Sequence, residues 1–137
     1  MRLAALLSAA GLAVPDGAQS PLAANVTGFA IDHRKVAPGN VFGAFPGTRV
    51  NGEDFIAAAI QAGAVAVVAR PEASVAGALH LADAEPRRAF ARLAAQFYLP
   101  VPATVAAVTG TNGKTSTVEM ARQLWRSEER RVGKECL

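Results

Sequence analysis

Cysteine is almost missing from the 137-residue chain; the single one, Cys136, is the penultimate residue. A disulfide framework is thereby excluded, and so is a cysteine-built metal cluster. Aromatic residues make up only 6% of the chain and charged residues only 18%. No stretch reaches the roughly 18 uninterrupted apolar residues of a membrane span, so no membrane partner is expected. Charge of one sign is not concentrated either. The formal net charge is +3, but the last twelve residues hold four basic and three acidic groups, and the rest carries no basic stripe. A sequence pI near 9.6 is therefore no sign of nucleic-acid binding, and none is expected.

What the chain does have is small apolar bulk. Hydrophobic residues make up 51%, and 31 of the 137 positions are alanine. Such a chain can bury a real core, which argues against disorder.

Leu3 to Val14, following Met1-Arg2, has about the length of a signal-peptide apolar core. A single arginine is a thin positive region, however, and no small-x-small cleavage site follows. Leu3, Leu6, Leu7 and Ala10 stand at helical spacing, so an amphipathic helix stopped by Gly11 and Pro15 is the better expectation. Residues 15–25 are rich in turn formers. Val26 to Ile31 and Val41 to Phe45 read as strands, separated by a turn at Pro38-Gly39. From Glu53 the pattern changes to period 3.6, with Phe55, Ile56, Ala59 and Ile60 on one face and Gly63 as the stop. Ala64 to Ala69 is a continuous small apolar run, suited to a strand buried on both faces. Leu79 to Ala82 predicts another strand. Pro86 opens a helix to Tyr98, with Phe90, Leu93, Ala94 and Phe97 inward. Pro100 and Pro102 mark a domain boundary. Thr104 to Val108 predicts a further buried strand, and a helix is expected from about Lys114 to Trp125. Trp125 and Phe97 are expected to anchor the core at helix ends, and His80, alone in an apolar run, to be structural. Alternating strands and helices mean an α/β fold.

The strongest chemical signal is Val108-Thr-Gly-Thr-Asn-Gly-Lys-Thr-Ser116, set between a β-prone run and a helix. Gly110 and Gly113 let backbone approach an anion and adopt conformations other residues resist. A helix N-terminus offers free N–H groups and a positive dipole end. Lys114 can reach the β- and γ-phosphates of ATP and is the candidate catalytic residue, while the Thr115 hydroxyl is placed to ligate Mg²⁺. Thr111, Asn112 and Ser116 complete the candidate nucleotide-binding set. The loop departs from the common G-x-x-x-x-G-K-[ST] pattern, since Val108 stands at its first glycine.

The T-G-T-N-G-K-T variant resembles the ATP loop of the Mur ligase family, the amide-bond synthetases of the peptidoglycan stem peptide. Folylpolyglutamate synthetases share TGTNGK but usually continue Gly-Ser, whereas Thr115-Ser116 follows here. A second block carries the same resemblance. Asp32, Arg34, Val36, Pro38, Gly39, Phe42, Ala44, Gly47, Gly52 and Phe55, then the run Ala59 to Ala66, match the family's pattern D-S-R-x-V-x-P-G-x-L-F-x-A-x-x-G-x-x-x-D-G-x-x-F. His33 stands where the family usually has Ser, and Asn51 where it usually has Asp.

The resemblance implies a small N-terminal α/β domain over 1–102 that holds a UDP-MurNAc substrate. Over 103–125 it implies the first strand, phosphate loop and helix of a truncated P-loop ATPase-like domain. The branch implied is the one that adds meso-diaminopimelate or L-lysine to UDP-MurNAc-L-Ala-D-Glu, through an acyl phosphate, with ATP and Mg²⁺. The branch that adds D-Ala-D-Ala, or a non-catalytic nucleotide-binding module, is the alternative. By position, the substrate contacts implied are Ile31, His33, Thr48, Arg49 and Val50. Arg49 offers a forked donor for phosphate and Thr48 a hydroxyl. His33 either donates to substrate or bonds local backbone, and Asp32 with Arg34 is expected to fix the turn. Family members of this kind are cytoplasmic, and a monomer is expected. Arg-Ser-Glu-Glu-Arg-Arg-Val-Gly-Lys-Glu-Cys resembles the in-frame translation of a sequencing-library adapter, so 126–137 is expected to be non-native. The chain is then an N-terminal fragment without ligase activity of its own.

Overall fold

The computed structural model describes residues 1–13, 22–48 and 50–132. They fall into two compact units, Met1–Pro100 and Val101–Leu137.

The first unit is a parallel sheet covered on both faces. Its elements are α1 (Leu3–Ala9), β1 (Gly28–Ala30), β2 (Asn40–Gly43), α2 (Ile56–Gln61), β3 (Ala66–Ala69), β4 (Leu79–Ala82) and α3 (Pro86–Phe97). The strands lie in the order β1-β2-β3-β4, every pair parallel. Alternation along each strand sorts side chains between two cores. Val41, Ala66, Val68, Leu79 and Leu81 pack with Leu3, Leu6 and Leu7 of α1 and Leu93 of α3. Phe42, Val67 and Ala69 face the other way, onto Ile56 and Ala59 of α2. β2 and β3 are buried at every position, as a central parallel strand requires.

The first apolar run is thus a helix whose leucines are fully buried. The expected periodic helix from Glu53 begins instead as a 3-10 turn, Gly52–Phe55, and becomes α-helical only at Ile56. The Asn51 side chain caps that turn by accepting from the Glu53 N–H at 3.2 Å. Between β1 and β2 the chain makes only a 3-10 turn, His33–Lys35. This short link is tied to the end of α2, where the Gly39 N–H donates to the Gly63 carbonyl at 2.9 Å. Gly63 sits at φ +104, and a Cβ there would stand 2.8 Å from Pro38 Cα, so both conformation and space require glycine.

In the second unit the expected strand at Thr104 to Val108 does not form; these residues have no regular structure, and Val105 is 77% exposed. Among the described residues no strand runs alongside them, and an unpaired extended segment cannot satisfy its N–H and C=O groups. The helix α4 spans Lys114–Val132, past the expected end near Trp125. No Gly or Pro interrupts the sequence between Trp125 and Gly133, so nothing stops it earlier. Trp125 itself is exposed rather than a core anchor. Phe97 does pack against the sheet core.

Leu93 is fully buried in the layer that joins α1 and α3 to the sheet. Leu93→Ala should destabilise the chain by about 2–5 kcal/mol in urea unfolding followed by far-UV circular dichroism. A loss below about 1 kcal/mol would mean that this layer is not close-packed.

Candidate functional site

A cleft of about 470 Å³ opens where β1 and β2 end. In parallel α/β sheets the crevice outside the carboxyl ends of the strands is the usual place for a ligand. One wall is the turn that leaves β1, with Ile31, Asp32, His33 and Arg34. The other is the loop that leaves β2, with Phe45, Gly47 and Val50, backed by Phe55 and by Arg87 from the start of α3.

Each wall is held by local bonds. Arg34 donates Nε to Asp32 Oδ1 at 3.0 Å and Nη2 to Oδ2 at 2.8 Å, a bidentate pair across one turn. The Arg34 backbone N–H also donates to Oδ1 at 3.1 Å. These bonds hold the Asp32 carboxyl well below the usual carboxylate range, the guanidinium contributing most and the backbone N–H next. The His33 ring lies parallel to Phe55, with centroids 4.3 Å apart and 2° between the planes. The β2 loop closes at its base, where the Gly52 N–H donates to the Phe45 carbonyl at 2.8 Å. A Cβ at Gly52 would stand 2.7 Å from the Phe45 backbone nitrogen, so the closure demands glycine.

Of the residues expected to contact substrate, Ile31, His33 and Val50 all line this cleft. Ile31 and Val50 are two of the large apolar residues left exposed, 66% and 60%. Thr48 is exposed on the same loop but does not line the cleft. Arg49 lies outside the described residues. Asp32 and Arg34 pair with one another, as the turn-fixing expectation has it. His80 is held by a contact of its Nε2 with the Arg70 carbonyl at 3.1 Å. The residues that sequence reasoning missed are Phe45, Phe55 and Arg87. Phe55 passed as a helix-face residue, and Arg87 reaches Pro46 from 41 positions away. Only three-dimensional structure brings that pair together.

The second candidate element is the loop before α4. Gly110 and Gly113 both have positive φ, +150 and +76. Nothing stands within 4 Å of a Cβ built at Gly113, so the loop has open space beside it. The Lys114 ammonium folds back to donate to the Gly110 carbonyl, and lies 3.5 Å from the Thr111 carbonyl. Thr115 and Ser116 fall in the first turn of α4, and the Thr117 N–H and hydroxyl both reach the Gly113 carbonyl, each at 2.9 Å. Two glycines with positive φ leading into a helix N-terminus fit a nucleotide phosphate. Among the described residues no three His, Cys, Asp or Glu side chains gather into a metal site. No described helix is long and apolar enough to cross a membrane.

The family model described as "Mur ligase family, catalytic domain" matches residues 25–98, which include the whole sheet and the cleft. The chain belongs to the Mur ligase family. The UDP-N-acetylmuramoyl-L-alanyl-D-glutamate–2,6-diaminopimelate ligase of Zymomonas mobilis subsp. mobilis is 67% identical over 100 residues, 73% of this chain and 21% of that relative. The enzyme of the same name from Bradyrhizobium diazoefficiens is 47% identical over 112 residues, 80% of this chain and 23% of the relative. That of Caulobacter vibrioides is 45% identical over 112 residues, 79% and 22%. The chain thus spans about a fifth of the length of the curated relatives it matches. The span matched by the Mur ligase family model ends before the TGTNGKT loop.

The Gly52–Phe55 turn, whose ends line the cleft, is tied to the end of β3 by a second bidentate pair. Arg70, just after β3, donates to Glu53 at 2.8 and 2.7 Å. The guanidinium bonds hold the Glu53 carboxyl below its ordinary value. A lowered folded-state pKa means stability that is fully present above the ordinary glutamate range and is lost as pH falls from there through the lowered folded-state value. Glu53→Gln should therefore be less stable than the parent chain at pH 7, by about 1 kcal/mol or less for a partly exposed pair. The difference should narrow progressively as the pH is lowered below the ordinary glutamate value. Urea midpoints measured across that range check it, and a gap unchanged at low pH would show that the carboxylate charge is not the cause.

Proposed function

We propose that the chain is the substrate-binding N-terminal part of an ATP-dependent ligase of peptidoglycan biosynthesis. The reaction is the addition of meso-diaminopimelate or L-lysine to UDP-MurNAc-L-Ala-D-Glu. The observation that carries this reading is the cleft at the carboxyl ends of β1 and β2, where Ile31, His33 and Val50 converge within the family-matched span. The relatives named above, all diaminopimelate ligases by name, favour the diamino acid over D-Ala-D-Ala.

On this reading residues 1–102 hold the UDP-MurNAc end of the substrate, with Thr48 and Arg49 joining the contacts from the β2 loop. Residues 103–125 begin the ATP-binding domain, and 126–137 are a non-native tail. Gly110 to Ser116 hold the ATP phosphates, Lys114 neutralises charge at the transferred group, and the Thr115 hydroxyl is a ligand for Mg²⁺. ATP supplies the phosphoryl group that turns the D-glutamyl carboxylate into an acyl phosphate. The amine of the incoming amino acid attacks that carbonyl, and inorganic phosphate leaves from the tetrahedral intermediate. The protein's share is positioning and charge stabilisation. The protein is placed in the cytoplasm, where ATP and the nucleotide-linked substrate are found together, and is a monomer.

Titration of the ¹⁵N-labelled chain with UDP-MurNAc-L-Ala-D-Glu should move the amide resonances of Ile31, His33 and Thr48 to Val50. Shifts confined to other parts of the chain, or none at millimolar ligand, would remove the site. The 137-residue chain incubated with ATP, Mg²⁺, the UDP-linked dipeptide and diaminopimelate should form no amide product and release no phosphate. Among the described residues no strand pairs with segment 104–108, and an ATPase site of this kind is built on a sheet. Turnover above the protein-free control would overturn that assignment.

A further inference from the structure

We propose that Arg87 is a phosphate-contacting residue of the cleft, its guanidinium bonding the diphosphate of a nucleoside-diphosphate-linked substrate. The inference rests on the function proposed above and adds to it a residue that the family's sequence pattern did not supply.

Among the described residues two arginines line the cleft, Arg34 and Arg87. Arg34 is committed, its Nε and Nη2 both bound to Asp32. Arg87 has no carboxylate partner among the described residues, and its one bond is from Nη2 to the Pro46 carbonyl at 3.1 Å. A guanidinium carries five N–H donors, so most of them remain for a ligand. The group is nevertheless held in place, with its carbon 5.1 Å from the centroid of the Phe45 ring. A planar fork held over an aromatic ring and steered by one carbonyl is preorganised for bidentate contact with phosphate.

The position of the charge makes the same case. Arg87 follows Pro86, the first residue of α3, and no acidic residue stands in that first turn. The positive end of a helix dipole disfavours a cation there. The neighbouring arginines are compensated: Arg88 by Glu85 at 3.2 Å, and Arg70 by Glu53 at 2.7 Å. Among the described residues Arg87 alone of these four has no carboxylate beside it, at a point where helix polarity opposes a cation and beside an open cleft. An anion in the cleft relieves both.

The test compares UDP with uridine, using the 137-residue chain at physiological salt and following both amide and ³¹P resonances. The parent chain should bind UDP more tightly than uridine and shift the ³¹P signals of UDP. Arg87→Gln should weaken UDP by about tenfold or more, the worth of a charge-assisted hydrogen bond, and leave uridine unchanged. Arg87→Lys, which keeps the charge and loses the fork, should fall between them, and it decides the matter if the Gln variant does not fold. Equal weakening of UDP and uridine would show that Arg87 only props the loop through Phe45 and Pro46. Unaltered UDP affinity in the Gln variant would overturn the proposal while leaving the cleft assignment intact. If the parent chain binds neither UDP nor uridine, the function proposed for the cleft fails, and Arg87 with it.

Discussion

Both faces of the parallel sheet have to be dry, and the rest of Met1–Pro100 depends on that requirement. Val41, Ala66 and Val68 point to one side and Phe42, Val67 and Ala69 to the other. Neither side can be left to water, so α1 and α3 must cover one and α2 the other. With the faces covered, the ends of the strands are left free to build a ligand cleft. The turn after β1 and the loop after β2 meet at one such end, and the cleft is the space they enclose. The small side chains of β3 and α2 let these layers lie close, which is the use the alanine-rich composition finds here.

Legibility followed the length and purity of the pattern. The Ala64 to Ala69 run announces a strand buried on both faces, and β3 is that strand, shortened to Ala66–Ala69. Leu79 to Ala82 and Pro86 to Phe97 were readable almost to the residue, because turn formers and a first-turn proline bound them. The 3-10 turns were not readable, since three or four residues hold too little of any period to separate them from loop or α-helix. The segment at Thr104 to Val108 is the opposite case. Its composition is that of a strand, but pairing makes a strand, and among the described residues it has no neighbour.

The site divides in the same way. Residues close together in sequence were found: Ile31 and His33 on one turn, and Val50 on the next loop. Contacts made across the fold were missed. Phe55 looks like one more apolar residue on a helical face until its ring is seen flat against His33. Arg87 looks like a solvated helix start until it lies over Phe45. No spacing rule joins positions so far apart, and the charge that makes Arg87 unusual shows only when the partners of its neighbours are known.

The helix that follows the TGTNGKT loop carries Val118, Met120, Leu124 and Trp125 to its surface, all more than half exposed. Exposed apolar side chains on a helix are what chaperones and quality-control proteases bind. Residues 101–132 therefore offer other proteins an apolar surface that the buried layers of the sheet do not.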